Sequence, residues 1–434
     1  MESNQLSPDA FNSISESLLN EKRLKKDPLA DNVVAKIISS GYEEKINEVF
    51  MALVRNDSYD PSHFSSLPEE IFKIVTNYFE QTSELPDWAN SDLIQEGERV
   101  FGLYGPEIFM LLNVKSLPLC YTCGKGAKVL FITGRLTEKR GDIDPLARRL
   151  METAQMILNA MSPGGLKKGG AGIITLQKVR LIHASIRYFL TNEKYNKKGW
   201  DANEFGEPIN QEDLAGTLMS FGPIILSGLS QLNISLSSHQ KEAYMHCWKV
   251  IGHIMGLDED LLPDTYEQGW ALTKKILTHQ SIPSSDGVAL TESCIGFMQY
   301  MIPGNLLNKL PAYMIWYFFQ DISKAVEMDL AAMIGISTHE DKKDHFIMIL
   351  TRLITGAIGK LEHSEIIKKL TLHYSKILLQ AFLKHYNEGK DVHFFIPPSL
   401  QKDWKLTEEW TDKVAITPDI LGNRLMWQKK EEGI

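Results

Sequence analysis

Residues 175–190 read TLQKVRLIHASIRYFL. Leu176, Val179, His183, Ile186 and Leu190 recur at steps of three and four, which stack into one face of an α-helix. The stretch therefore predicts a helix with one imidazole set into an apolar stripe. Arg180 and Arg187 sit about one turn to either side of it. Two readings of His183 fit this spacing. It is either a hydrogen-bonded core histidine or a neutral axial ligand for haem iron, with the two guanidinium groups pairing with the propionates.

The same period governs much of the chain. Residues 145–161 place Leu146, Leu150, Thr153, Ile157 and Met161 on one face, before Ser162-Pro163-Gly164-Gly165 ends the pattern. On that helix Arg149, Glu152 and Thr153 fall at i, i+3 and i+4, so a cation, a carboxylate and a hydroxyl converge; a solvated helical ion pair has the same signature. Near Asn210 a further helix begins, with Gln211-Glu212-Asp213 offering negative charge to its N-terminus and an apolar run, 214–229, behind. More helices are expected at 238–255, 265–279, 287–300, 310–333 and 344–385. Val129 to Thr133, VLFIT, is the best candidate for an extended segment. Residues 1–85 alternate short amphipathic stretches with Ser, Asp and Pro, and from Asn387 onward Pro397-Pro398 and many charges predict loop. The fold class is all-α.

Composition narrows the function. With 43% hydrophobic and 23% charged residues in a chain of 434, there is enough apolar material for one large core or two smaller ones. A net charge of −9 argues against nucleic acid, which needs clustered surplus cations. The short basic cluster Lys22-Arg23-Lys25-Lys26 reads as a solvated segment. The first residues lack a basic and apolar leader, and four cysteines are too few for a disulfide scaffold. A cytoplasmic setting with reduced thiols is therefore expected. No apolar run reaches the roughly 20 residues of a membrane span.

Other motifs carry less. Cys120-Tyr-Thr-Cys123 is followed by Gly124 rather than His, which leaves covalent haem attachment unsupported, and no second ligand pair follows for zinc. Gly164-Gly165 and Gly169-Gly170 do not complete a phosphate loop. No helix repeats the Glu-x-x-His of a di-iron bundle. His246 and His253, seven apart, share a helical side. The aromatic and Met run 297–319 fits either a packed core or an apolar access route.

Five pieces in order resemble the rubber oxygenase (latex clearing protein)/MpaB catalytic-domain family. They are SLPLCYTCGKGAKVLFITGRL at 116–136, RRLMETAQMIL at 148–158, VRLIHASIRYFL at 179–190, INQEDLAGTLMSFG at 209–222 and YMHCWKVIGHIMGLDEDLLP at 244–263. The resemblance covers about residues 90–385. It implies a globin-like helical core enclosing haem b, with extra N- and C-terminal helices: an extension at 1–88, an oxygenase domain at 89–386 and a tail at 387–434 packing on the core. It makes His183 the iron ligand, with Arg180 and Arg187 beside the cofactor, and places Arg149, Glu152 and Thr153 on the distal side. It further implies O2-dependent C=C cleavage of a hydrophobic, isoprenoid or polyene substrate. This chain departs from the family in three places: Glu152 stands where relatives carry a lysine that caps iron, Thr133 lies where rubber-cleaving members place a catalytic glutamate (Glu138 aligns only with a gap), and Tyr188 stands where some carry a second histidine. Against the oxygenase stand two alternatives, a haem-binding sensor without turnover and a metal-free helical enzyme of hydrophobic substrates.

Overall fold

The computed structural model describes residue 11 and residues 13–39, 68–136, 145–301 and 310–336, together with positions 375, 376 and 379. The helix expected at 344–385, the tail from 387 and Glu138 lie outside the described residues. Among those described, the chain is helical throughout, with one isolated antiparallel bridge between Cys123 and Ser281.

The N-terminal part forms α1 (Glu16–Arg23), α2 (Pro28–Ser39) and α3 (Glu69–Gln81). A long α4 (Ser91–Leu111) bends where Tyr104 leaves helical geometry and Pro106 removes a donor, then widens into a π-turn (Leu112–Ser116). Next come α5 (Leu117–Thr122), α6 (Gly124–Leu136), α7 (Pro145–Met161) and α8 (Ala171–Thr191). The remaining helices are α9 (Ala202–Phe205), α10 (Gln211–Phe221), α11 (Pro223–Gln231), α12 (Ser238–Ile254), α13 (Tyr266–Gln280), α14 (Ser285–Met301), α15 (Leu310–Val326) and α16 (Leu330–Met333).

Local chemistry starts these helices. The Asn210 side chain accepts the Asp213 N–H at 2.9 Å, and Ser237 with Gln240 and Thr265 with Gln268 form capping boxes. Several expectations are corrected, among them the single helix at 310–333, which is two helices, Leu310–Val326 and Leu330–Met333. Residues 129–133 belong to α6 rather than to an extended segment; the Thr133 hydroxyl donates to the Val129 carbonyl one turn back, at 2.7 Å. The run 214–229 is two helices, because Pro223 cannot continue α10 and instead opens α11. The cluster at 22–26 is only half solvated. Lys22 and Arg23 are buried, with Lys22 Nζ 2.6 Å from Asp258 and Asp260 and Arg23 3.1 Å from Asp213 and 3.4 Å from Glu212. Taking these cations out of water is tolerable only because carboxylates meet them.

Two apolar cores share α8 as a common wall. The larger fills the space among α4, α5, α7 and α10–α15 and takes Ile173 and Leu176 from one side of α8. A smaller one takes Leu181 and Ala184 from its other side and closes under α2 and α3 with Val34, Ile37, Ile71, Val75 and Tyr78. Among the described residues, no helix is long and apolar enough to cross a membrane.

The α7–α8 hairpin sets the register of the site described next. A Cβ at Gly172 would lie 2.6 Å from the Ala160 Cα and 2.6 Å from the Gly165 carbonyl oxygen, so the two helices meet backbone to backbone. Buried Glu98 of α4 accepts the Gly164 N–H at 2.9 Å and fastens the connecting turn. Gly172→Ala is expected to cost about 1–3 kcal/mol, because the clash is with backbone. A thermal or urea transition that does not move would show that the hairpin has room to spare.

Candidate functional site

His183 lies in the fourth turn of α8, on the stretch that faces away from the smaller core. Its neighbours on that side, Val179, Ile182 and Ile186, are half-buried and apolar, whereas Leu176 and Leu190 of the same predicted stripe are buried. The imidazole keeps part of its surface accessible although protein surrounds it, and burial lowers its pKa to about 3. The charge of Arg187 and, more weakly, that of Arg149 push in the same direction, while Asp27 opposes them. The ring is therefore neutral at any physiological pH, with a lone pair available on one nitrogen.

Arg149 approaches from α7. Its Nη1 donates to the Leu130 carbonyl at 2.6 Å and its Nη2 to the Thr133 hydroxyl, which ties the guanidinium to α6. Burial lowers its pKa, and Glu152 and Tyr121 pull it back. Thr153, one turn on, is half-buried and helps line a small space of about 10 Å³ against Leu112, Asn113 and Leu117. That is about the size needed for one water. Glu152 is exposed on the rim of the same helix. The structure thus brings Arg149 and Thr133 together within the influence of His183, with Thr153 turned partly into the core and Glu152 outermost.

The two flanking arginines are placed differently from each other. The Arg180 fork is fully used: Nε and Nη2 donate to Asp27 at 2.6 and 2.8 Å, and Nη1 donates to the Ile254 carbonyl at 3.0 Å. Arg187 donates from Nε to Asp31 at 2.7 Å and from Nη1 to the Ile209 carbonyl at 3.2 Å, but its buried Nη2 has no hydrogen-bond acceptor. One Asp31 carboxylate oxygen is likewise buried without a donor, and burial raises that carboxyl above its ordinary range in spite of Arg187. Asp27 and Asp31 are the site residues that spacing did not single out. Asp27 stands just ahead of α2 and Asp31 in its first turn, far from either arginine along the chain, and only the fold joins them.

The remaining candidates are structural in position. His246 and His253 meet the two sides of Trp88 edge-on, at 5.9 and 5.7 Å between ring centres, and His246 Nε2 accepts the Asn90 N–H at 2.8 Å. Tyr188 packs with Phe189 and Tyr195 beside the smaller core, away from His183. Cys120 and Cys123 are free thiols whose pKa burial raises, Cys120 to about 11. In the 297–319 run, Phe297, Met298, Tyr313, Met314 and Phe318 are core residues, and Trp316 and Tyr317 are half-buried. Residues 302–309 of that run lie outside the described residues.

Comparisons with known proteins agree with this architecture. The family described as ER-bound oxygenase mpaB/B'/Rubber oxygenase, catalytic domain, matches residues 124–340, half of the chain. The rubber oxygenase of Streptomyces sp. (strain K30) is 23% identical over 280 residues, which cover 64% of this chain and 64% of that protein. The solved structure of latex clearing protein LCP in the closed state aligns with a TM-score of 0.64 at 19% identity, covering 86% of this chain and 95% of that one. At that identity the likeness concerns the fold.

A folded-state pKa of about 3 against an ordinary 6.5 means that below pH 6.5 the unfolded chain binds a proton that the folded protein refuses. The contribution of neutral His183 is full above that value and is lost as pH falls toward 3. His183→Gln should therefore flatten the acid limb of stability against pH relative to the parent protein. Parallel curves between pH 7 and 4 would refute the burial of a neutral ring.

Proposed function

The chain belongs to the ER-bound oxygenase mpaB/B'/rubber oxygenase catalytic-domain family, and from that premise we propose that it is a b-type haem-dependent oxygenase that cleaves a C=C bond of a hydrophobic isoprenoid or polyene with O2. The observation that carries this reading is the neutral, enclosed but still accessible imidazole of His183. Among the described residues, no group of three or more His, Cys, Asp and Glu side chains is placed to hold a metal ion. One imidazole retains iron only where a macrocycle supplies the in-plane ligands, so the donor set fits haem and little else. The spare Nη2 of Arg187 suits one porphyrin carboxylate, whereas Arg180 has no donor left to offer.

When bound, haem supplies O2 activation, and the overall conversion of one C=C and one O2 to two carbonyl groups balances without a further reductant. The protein's share is positional. His183 would hold the iron from α8. Arg149, fixed by Leu130 and Thr133, presents a partly desolvated positive charge that would stabilise negative charge developing in the reaction. Thr153 offers a hydroxyl, and Glu152 a carboxylate at the rim that can take up a proton. The half-buried apolar stripe of Val179, Ile182 and Ile186 excludes water beside the reacting bond. With Glu152 in the lysine position, no ammonium group is available there to cap the iron.

An ultraviolet-visible spectrum of protein expressed with haem is expected to show bound b-type haem, and His183→Ala should strip the haem or shift the spectrum. Glu152→Gln should keep the haem and lower O2 uptake with squalene or a carotenoid-like polyene by roughly 100-fold or more. Colourless parent protein would favour the metal-free enzyme, and haem-loaded protein inert toward every polyene would favour the sensor. Full activity in Glu152→Gln would make that residue structural.

A further inference from the structure

The α8 helix carries two guanidinium groups beside His183, and both are answered from outside the 124–340 interval by α2. Asp27 lies just ahead of α2, is almost wholly buried, and grips Arg180 with both oxygens at 2.6 and 2.8 Å. Its Oδ2 also stands 4.0 Å from Nη2 of Arg187. Asp31, one turn on, takes the Arg187 Nε at 2.7 Å. Arg180 and Arg187 further reach the Ile254 and Ile209 carbonyls, so one network joins α2, α8, the end of α12 and the entry to α10. The turn at Gly256 is shaped around it: a Cβ there would lie 2.7 Å from the Arg180 guanidinium.

Val34 and Ile37 attach α2 to the smaller core, and the charged network is a second, separate attachment that reaches the helix carrying His183. We propose that Asp27 is a positioning residue for the haem site: by holding Arg180 and facing Arg187 it fixes the orientation of His183 and sets the local charge that tunes the iron. This rests on the haem-oxygenase reading. Removing the Asp27 charge leaves the buried Arg180 without its carboxylate while Arg187 keeps Asp31, and the resulting more positive surrounding favours the ferrous over the ferric state. Asp27→Asn should therefore raise the reduction potential, by about tenfold in the ferric–ferrous equilibrium, or roughly 59 mV for one electron.

The test is spectroelectrochemistry on haem-loaded, full-length protein, with haem content and thermal midpoint recorded alongside. Asp27→Asn should move the potential upward, Asp27→Glu should restore most of it, and Asp27→Asn with Arg180→Gln, which removes one charge of each sign, should return it near the parent value. The double variant also answers the case in which Asp27→Asn alone does not fold. Glu84→Gln, in an exposed pair with Lys168, controls for net charge. An unmoved potential in haem-loaded Asp27→Asn, a shift equal to that of Glu84→Gln, or a double variant as shifted as the single one overturns the proposal and leaves the haem reading intact. Parent protein that takes up no haem sinks both.

Discussion

A charged group inside a protein must meet its counter-charge there, and on α8 this requirement organises the molecule. Arg180 and Arg187 are both buried, and each is held by a carboxylate from α2 and a carbonyl from another connection. The helix is thereby fixed in rotation as well as in position. Its apolar side chains then fall naturally into two sets, one packing with α4 and α7 and the other closing under α2 and α3. The N-terminal helices are consequently a structural element of the site.

This arrangement makes sense of where the polar groups near His183 are placed. Arg149 is tied down by neutral partners, a carbonyl and a hydroxyl, so its charge is oriented but not cancelled at contact range. Arg180 is cancelled outright, and Arg187 only in part. Positive charge is thus available to graded degrees along one side of the histidine, least at Arg180 and most at Arg149.

Local signals in the sequence were readable to the residue where punctuation is strong. The bounds of α7, Pro145–Met161, follow from a proline at its start and the Ser-Pro-Gly-Gly turn at its end, and Asn210 caps α10 as its side chain predicts. His183 and Arg149 were legible as a pair only through the order of several motifs, because a lone histidine on an apolar face has an ordinary explanation. Residues 129–133 misled because β-branched side chains suit both states, and the tertiary setting of α6 decided between them. Lys22, Arg23 and Asp27 were invisible for another reason. Their partners lie between 153 and 238 residues away, and no period along the chain reports such a pairing.

The π-turn after α4 holds one more residue than an α-helical turn would, and it delivers Lys115, fully buried, to Ser227 and Gln231 of α11 at 3.1 and 2.7 Å and to Asp321 of α15 at 2.8 Å. Every residue beyond it inherits that added length. Deleting a single position there would rotate the following helix by about 100° and turn the ammonium away from its acceptors. An insertion that in a surface loop would pass unnoticed is here locked in by a buried ammonium group, so the length of the chain through residues 112–116 is fixed by where one side chain must arrive.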